Sequence, residues 1–321
     1  MTSTAAEGAR VLDIGLKDRD FLSIDHFAPR EIGDLLDLAA ELKAMQKAHV
    51  PHPVLAGRSV GMVFLKTSTR TRVSFEVGIH QLGAQPLFLS SADIQLKVGE
   101  TIKDTGHVLS RYLDCIMIRA FAHKDIVELA AAASVPVING LTDEYHPCQG
   151  MADILTIREH CGELGRCHIV YVGDGNNVAH SLLVGGVKMG ARVTICTAPD
   201  YKPMEHVMEL AREDAMLTGG SIDWTDDITC VKGCDIVYTD TWAGMGQEAE
   251  HDTRTAALKQ WQVNSKLLKM AGPQARVMHC LPAHWGEEIT EEVIYSPQSI
   301  IFDQAENRMH AQKAIMAAIV P

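Results

Sequence analysis

A short polar segment, Ser68–Arg72, has the residue types that bind a small phosphate compound. It follows the apolar run Ser59–Leu65 and leads into the amphipathic stretch Thr71–Leu82, a pattern that predicts a strand, a turn and a helix start. Helix N-termini attract anions, and the planar guanidinium fork binds two phosphate oxygens at once. Because no glycine-rich Walker loop is present, the segment favours a small phosphate compound over a nucleoside triphosphate.

Other reactive side chains follow further apolar runs, at the point where each run ends. They are Arg119, Asp240 and the pair Cys280-Leu281. In open parallel sheets, ligands bind outside the carboxyl ends of the strands. We therefore expect these residues to collect at one edge of the predicted sheets. Alone, Asp240 is also compatible with a turn residue, and Cys280 alone fits a buried core thiol better than a site residue.

The segment Gly173–Val178 has a Gly-x-Gly pattern after an apolar run. It lacks the third glycine of the dinucleotide fingerprint, since Val178 stands there, and a lone Gly-x-Gly is weak evidence for a nucleotide site. Asn177, at the predicted helix start, either caps that helix or binds a ligand carboxylate. A dinucleotide-dependent dehydrogenase is an alternative class, but it leaves Ser68–Arg72 without a role.

His146 and Gln149 lie in the polar stretch that divides the chain, Leu141–Gln149. If Pro147 begins a helix, both side chains reach the same side of that helix. This arrangement favours a ligand-binding role over a purely structural histidine. Arg308, on the last predicted helix, is either part of a solvated face or a further basic ligand group.

Apolar runs of strand length alternate with amphipathic stretches along most of the chain, which predicts an α/β fold. The runs are apolar on both faces, as in parallel sheets covered by helices on both sides. We therefore predict two doubly wound, Rossmann-like parallel sheets. The predicted strands are Ser59–Leu65, Pro86–Ser90, Cys115–Arg119, Val135–Ile138, Cys167–Val172, Arg192–Thr197, Asp235–Thr239, Arg276–His279 and Ser299–Phe302. The predicted helices are Thr71–Leu82, Glu100–Tyr112, Lys124–Ala133, Val178–Met189, Pro203–Met216 and Ala305–Ile319.

Length and composition limit the class of protein. A chain of 321 residues fits two domains of about 150 residues each. The net charge of −12 disfavours nucleic acid and anionic membranes as partners. We find no apolar run long enough for a membrane span, no secretory signal and no transit peptide, and the scattered cysteines indicate reduced thiols in the cytoplasm.

Separated motifs resemble those of the aspartate and ornithine carbamoyltransferases, in the same order. Ser68–Glu76 is similar to the family's carbamoyl-phosphate signature, and His146–Gln149 is similar to its second signature. His279–Pro282 and Ala305–Arg308 resemble the ornithine branch. The resemblance extends from about Phe21 to the end of the chain.

This resemblance implies transfer of the carbamoyl group of carbamoyl phosphate to the δ-amino group of L-ornithine, giving L-citrulline and phosphate. It implies that a phosphate group is bound by Ser68, Thr69, Arg70 and Thr71. It also implies that the carbamoyl group is bound by Arg119, His146 and Gln149, bordered by Cys280 and Leu281, and reached by Arg308. Arg119, His146, Asp240 and Cys280 are the implied catalytic residues.

The ornithine side follows from the same resemblance. The implied ornithine-binding residues are Asn177, Asp240, Gly244 and Met245. Asp240, the Cys280 thiolate and the phosphate each remain possible acceptors of the proton that the ornithine amine must lose. The family implies no metal and no organic cofactor.

The family also implies a domain and subunit arrangement. Residues 1–145 would bind carbamoyl phosphate and residues 146–304 ornithine, with the helix at 305–321 packing back onto the first domain. The family is built on trimers, with sites near subunit interfaces, and Gln95 would reach into the neighbouring subunit's site. A cytoplasmic homotrimer acting in arginine biosynthesis is the expectation.

One position departs from the ornithine branch. Gly244 stands where that branch normally carries serine, so a hydroxyl that would help bind the α-amino group is missing. Weaker ornithine binding, another amine acceptor such as putrescine, and a non-catalytic carbamoyl-phosphate-binding relative are therefore alternatives. Met245–Glu248 otherwise fits the ornithine loop.

Overall fold

The computed structural model describes residues 14–92, 94, 99–244 and 248–321. Within this described part, the chain divides into two compact units. The first unit contains the residues before Phe27, Gly33–Asp143 and Arg308–Pro321, and the second contains Phe27–Ile32 and Glu144–Asn307. Each unit has its own parallel sheet, which confirms the predicted α/β class.

The first unit is built on a parallel sheet with the strand order β2-β1-β3-β4. Phe64, the last residue of β1, is paired with Arg119, the last residue of β3, so these two strands end side by side. The elements of this part of the chain are α1 (Pro29–Lys47), β1 (Ser59–Phe64), α2 (Thr69–Gln81), β2 (Gln85–Ser90), α3 (Ile102–Leu109), β3 (Cys115–Arg119), α4 (His123–Ala132) and β4 (Val137–Leu141).

The second unit has a parallel sheet with the strand order β7-β6-β5-β8-β9. Its strands β5 and β8 are buried except for half-buried His168 at the start of β5, whereas the edge strand β7 alternates exposed and half-buried residues. The elements are α5 (Pro147–Cys161), β5 (His168–Val172), α6 (Asn177–Lys188), β6 (Arg192–Cys196), α7 (Glu205–Thr218), β7 (Ser221–Thr225), β8 (Ile236–Thr239), α8 (His251–Leu258), α9 (Ser265–Ala271), β9 (Arg276–His279) and α10 (Glu291–Ile294).

Each unit has a separate apolar core. In the first unit, side chains of β1, β3 and α4 such as Val63, Ile116 and Leu129 pack together. In the second unit, Val170 of β5 and Val237 of β8 pack with side chains that include Trp242. Burial of side chains of this size stabilises each unit by about 1.5–3 kcal/mol per residue. The cores thereby fix the strand ends on which the polar residues lie.

The final helix, α11 (Ile301–Ile319), begins earlier than the sequence indicates, and the predicted strand at Ser299–Phe302 is wrong. Ser299 forms an isolated parallel bridge with Val277 of β9. The Gln304 N–H then donates to the Ile300 carbonyl at 3.0 Å, which starts the helical hydrogen-bond pattern. Because Ile300 and Ile301 are buried at a helix start, their apolar run resembles a short strand in the sequence.

Among the described residues, no helix combines the length and the apolar composition that a membrane crossing requires.

Candidate active site

The polar segment Ser68–Arg72 forms the N-terminus of α2. Ser68 is the N-cap residue, and its hydroxyl oxygen accepts a hydrogen bond from the Thr71 N–H at 3.2 Å. The Ser68 hydroxyl also donates to the Thr71 hydroxyl oxygen at 3.1 Å. An N-cap of this type orients the first turn of the helix, so its positive dipole end lies next to these hydroxyl groups.

Arg308 and Thr71 are in direct contact within the first unit, although they lie 237 positions apart in the sequence. The Arg308 Nη2 group donates to the buried Thr71 hydroxyl oxygen at 3.0 Å. Arg70 follows Ser68 by two residues, and its Nε atom is shielded from solvent with no hydrogen-bond partner among the described residues. Two guanidinium groups therefore belong to the first turn of α2 or contact it.

Arg119 lies at the end of β3, and Leu65 donates its N–H to the Arg119 carbonyl at 2.9 Å. This contact and the Phe64–Arg119 register place buried Arg119 beside the chain that leads from β1 into Ser68. Arg72 is directed elsewhere: its Nε donates to Glu76 at 3.1 Å, and its guanidinium lies 3.7 Å from the Phe88 ring centroid. The structure thus separates Arg72 from the other arginines of the cluster.

His146 and Gln149 lie at the start of α5, where Pro147 occupies the first turn as predicted. His146 is the buried N-cap residue, and its backbone N–H donates to the Ser181 hydroxyl at 2.8 Å. Gln149 is fully buried, and its Nε2 donates to Asp153 Oδ1 at 2.8 Å. The Gln149 Oε1 atom is buried without a hydrogen-bond partner among the described residues, so it remains an acceptor.

Asp240 is the centre of a hydrogen-bonded group at the carboxyl ends of β5, β8 and β9. Its Oδ1 accepts from the Cys280 thiol at 3.0 Å, and its Oδ2 accepts from Asn176 Nδ2 at 2.9 Å. Thr239 is paired with His279, so Asp240 and Cys280 follow neighbouring strand ends. The predicted convergence of Asp240 and Cys280 is therefore present in the second unit.

Asn176, not Asn177, caps α6. Its Oδ1 accepts from the N–H groups of Val178 and Ala179, and its Nδ2 donates to Asp240. Asn177 is the first residue of the helix proper. Because two consecutive asparagines follow the Gly-x-Gly pattern, the sequence alone did not distinguish the cap from its neighbour.

The chain after β9 is held in a strained conformation. Leu281 has a φ of 58°, in the left-handed region that a leucine rarely adopts, and its N–H donates to His279 Nδ1 at 2.8 Å. Since Nδ1 accepts, the His279 proton is on Nε2, which lies 3.1 Å from Glu288 Oε1. Glu288 is fully buried and also accepts the His284 N–H, so it positions the segment that contains Cys280.

Asp174 lies beside this group, and its carboxyl group pairs with Arg254 of α8, Nη1 to Oδ2, at 3.0 Å. Burial raises the pKa of Asp174 to about 7, against the opposing effect of Arg254 and with a further rise from the Asp240 charge. The native state therefore binds a proton at Asp174 more tightly than the unfolded chain does. Stability from this proton is complete below the ordinary pKa of 3.8 and is lost as pH rises through about 7.

Replacing Asp174 with asparagine should remove this pH dependence, while the amide oxygen still accepts from Arg254. Between pH 5 and 6, the free energy of unfolding of the wild-type chain should fall by about 1 kcal/mol more than that of Asp174→Asn. Urea denaturation at the two pH values measures the difference. Parallel pH profiles for the two proteins would contradict the assignment.

Two predicted site residues, Gln95 and Met245, lie outside the described residues. Gly244 is described and half-buried. Residues that the sequence analysis did not single out are Asn176, Asp174, Arg254 and Glu288. Asp174 and Arg254 interact across 80 positions of the sequence, whereas Glu288 lies nine positions from His279. The preference of asparagine for helix caps could have identified Asn176.

Open parallel sheets with charged and polar side chains at their carboxyl ends define the class as a ligand-binding α/β protein. The family model described as the aspartate/ornithine carbamoyltransferase carbamoyl-P binding domain matches residues 19–159. The model described as the Asp/Orn binding domain of the same family matches residues 166–319. The chain belongs to the aspartate/ornithine carbamoyltransferase family, which confirms the family predicted from the motifs.

Individual relatives agree with this family. The chain is 51% identical over 308 residues to an ornithine carbamoyltransferase of Pyrococcus abyssi, covering 96% of this chain and 97% of the relative. It is 52% identical over 308 residues to one of Thermococcus kodakarensis, covering 96% and 98%. The solved ornithine carbamoyltransferase of Pyrococcus furiosus is similar with a TM-score of 0.92 and 50% identity, covering 95% of this chain and 98% of that one.

Proposed function

We propose that this chain is an ornithine carbamoyltransferase, transferring the carbamoyl group of carbamoyl phosphate to the δ-amino group of L-ornithine to form L-citrulline and phosphate. The observation that carries the proposal is the buried contact of Arg308 with Thr71 at the capped N-terminus of α2, in the turn that contains Arg70. Such a group binds a dianionic phosphate. The names of relatives at about half identity support the acceptor.

The donor would be bound through its phosphate by Ser68, Thr69, Arg70 and Thr71, with Arg308 adding a second guanidinium. When the C–O bond to phosphate breaks, the leaving group keeps both electrons as an anion. Because that anion is already paired with guanidinium groups, its departure needs no separate acid. We assign Gln95 to the same substrate, contributed from a neighbouring subunit.

The carbamoyl group would be polarised by hydrogen-bond donors. Charge builds on its oxygen as the amine attacks the carbonyl carbon, and Arg119, His146 and the Thr71 hydroxyl are the proposed donors. The Gln149 Oε1 atom, held by the Gln149–Asp153 hydrogen bond, would accept from the carbamoyl amide. Leu281 and Cys280 would border this group.

The acceptor would be bound by Asn177, Asp240, Gly244 and Met245. The δ-ammonium of ornithine must lose one proton before its lone pair attacks the carbon, and a second proton leaves as the new C–N bond forms. We assign the proton-accepting role to the Asp240–Cys280 pair, because the thiol donates to the carboxylate at 3.0 Å and the two groups can relay a proton.

A single plate assay tests the activity. Purified protein is mixed with carbamoyl phosphate and, in separate wells, L-ornithine, putrescine, N-acetylornithine or aspartate, and ureido product is measured. Product with ornithine at least tenfold above every other acceptor is the expected result. Absence of product with ornithine would reject the proposal, and binding of carbamoyl phosphate without any product would indicate a non-catalytic relative.

Gly244→Ser provides a sharper prediction for the ornithine loop. The added hydroxyl should lower the KM for ornithine by about tenfold, because a hydrogen bond to a charged group contributes about 1.5 kcal/mol or more. Steady-state kinetics at saturating carbamoyl phosphate measure this change. An unchanged KM would show that the missing hydroxyl does not limit ornithine binding.

Gly244 also supports a second candidate acceptor, a diamine without a carboxylate such as putrescine. If putrescine is the natural acceptor, Gly244→Ser should improve ornithine turnover and leave putrescine turnover unchanged. The plate assay distinguishes the two acceptors directly.

We extend the proposal to the cellular role. Residues 1–145 and 305–321 would form the carbamoyl-phosphate domain and residues 146–304 the ornithine domain. We propose a cytoplasmic homotrimer that acts in arginine biosynthesis and whose carbamoyl transfer uses no metal or organic cofactor. A relative from Pyrococcus furiosus at 50% identity is named as anabolic, which supports the biosynthetic direction. Analytical ultracentrifugation tests the trimer.

A further inference from the structure

We propose that His251, His284 and Glu287 form a binding site for a divalent transition-metal ion, of which zinc fits best. One nitrogen of each histidine and one carboxylate oxygen lie within 4.8 Å of one another. All three residues belong to the second unit, and none has a role in the proposed carbamoyl transfer. Two histidines and a carboxylate are a common ligand set for zinc, with water as the fourth ligand.

The distances match the spacing of ligands around one ion. Glu287 Oε2 lies 3.1 Å from His251 Nε2 and 3.6 Å from His284 Nδ1. Tetrahedral zinc with bonds of about 2.0–2.2 Å separates two ligand atoms by roughly 3.3–3.5 Å. The two distances to Glu287 therefore agree with this spacing to within a few tenths of an ångström, and the two histidine nitrogens lie within 4.8 Å of each other.

The surroundings hold the ligands in place. The Asp252 carboxylate lies 3.2 Å from His251 Nδ1, the carboxylate–histidine pairing that orients metal ligands. His284 Nδ1 is shielded from solvent and has no hydrogen-bond partner within the described part of the chain. Its lone pair is thus available to an ion.

The backbone between the two later ligands is also fixed. The Glu287 N–H donates to the His284 carbonyl at 3.0 Å, and the His284 N–H donates to buried Glu288. Gln262 Nε2 donates to the carbonyls of Gly286 and Glu287, each at 2.8 Å. An ion bound here would tie the start of α8 to the chain that follows Cys280.

A second group, Asp240, His279 and Cys280, also offers metal-ligating atoms, but it belongs to the candidate active site. The two groups differ in chemistry because only the group with Cys280 contains a sulfur atom. Cobalt(II) distinguishes them, since coordination by thiolate adds a charge-transfer absorption in the near ultraviolet that nitrogen and oxygen ligands do not give.

The test is binding of Zn²⁺ and Co²⁺ to the purified full chain, by calorimetry and absorption spectroscopy, in the wild type and in Cys280→Ser. We expect both proteins to bind the ion at the His251 group. Cobalt(II) bound to Cys280→Ser should show no thiolate charge-transfer absorption. In the Cys280→Ser background, His251→Ala should weaken this binding at least 100-fold, and Asp252→Asn should weaken it about 10–100-fold. Turnover of ornithine is not needed for any of these measurements.

His206→Ala is the matched control. His206 also pairs with a carboxylate, Glu144, at 2.8 Å and is more exposed than His251, but it is not part of the three-ligand group. In the Cys280→Ser background, His206→Ala should bind Zn²⁺ and Co²⁺ as tightly as Cys280→Ser alone does. Equal binding by His251→Ala and His206→Ala, or loss of all binding in Cys280→Ser alone, would overturn the proposal. Glu287→Gln, which keeps the side-chain shape, gives the same test if His251→Ala does not fold.

Discussion

Replacing Arg70 with alanine is expected to lower kcat/KM for carbamoyl phosphate by about 10³-fold. The guanidinium belongs to the first turn of α2, where Ser68 caps the helix and Thr71 contacts Arg308. In the proposed role, its loss removes a charge-assisted partner of the leaving phosphate, which the N-terminus of α2 alone does not replace. Ureido-product formation at varied carbamoyl phosphate measures the change. Arg70→Lys should recover only a part of the kcat/KM that Arg70→Ala loses, because the lysine ammonium lacks the planar guanidinium fork.

Arg72→Ala is the matched control for this prediction. Arg72 lies on the same helix, but its guanidinium is paired with Glu76 and stacked on Phe88. Its removal should leave kcat/KM within about threefold of the wild-type value, since exposed ion pairs contribute little. If the two alanine variants lose activity equally, the assignment of Arg70 to the phosphate fails.

Asp240→Asn is expected to lower kcat/KM for ornithine by about 10²–10³-fold. The substitution keeps the shape but removes the negative charge that accepts from Cys280 and Asn176. Affinity for carbamoyl phosphate, measured by equilibrium dialysis without acceptor, should stay within twofold. A loss confined to the ornithine side is the specific signature of this role.

Asp227→Asn controls for the removal of a carboxylate. Asp227 is exposed and bonds to Thr229 in its own turn, and asparagine can maintain that cap. Its kinetics should match the wild type. Should Asp240→Asn bind carbamoyl phosphate poorly as well, the residue would have a structural role, not one specific to ornithine.

Strands that form short apolar runs could be predicted because their signal is local. The bounds of β3 and β9 agree with the sequence prediction, since each is a short apolar run with polar residues at its end. The edge strand β7 was not predicted, because its residues Ser221–Thr225 alternate between exposed and half-buried positions and include a charge. The strand predicted at Ser299–Phe302 is absent for a different reason. Residues buried at the start of α11 form an apolar run of strand length.

The candidate site shows the same division between local and long-range information. The capped turn at Ser68 and the helix start at Pro147 follow from residue types and spacing. The hydrogen bond of Asp174 with Arg254 depends on how distant segments pack, and that of Glu288 with His279 depends on the conformation of the chain after β9. Side chains of these types are common on protein surfaces, so no local pattern marks them before the fold is known.

The hydrogen bond between Thr71 and Arg308 has a consequence for the order of events during synthesis. The first unit includes Arg308–Pro321, so the ribosome must make Glu144–Asn307 before that unit has all its parts. At roughly 5–20 residues per second, this interval lasts roughly ten to thirty seconds. During this time, the N-terminal portion waits without Arg308, and the capped turn at Ser68 gains the Thr71–Arg308 contact only after Glu144–Asn307 has been made.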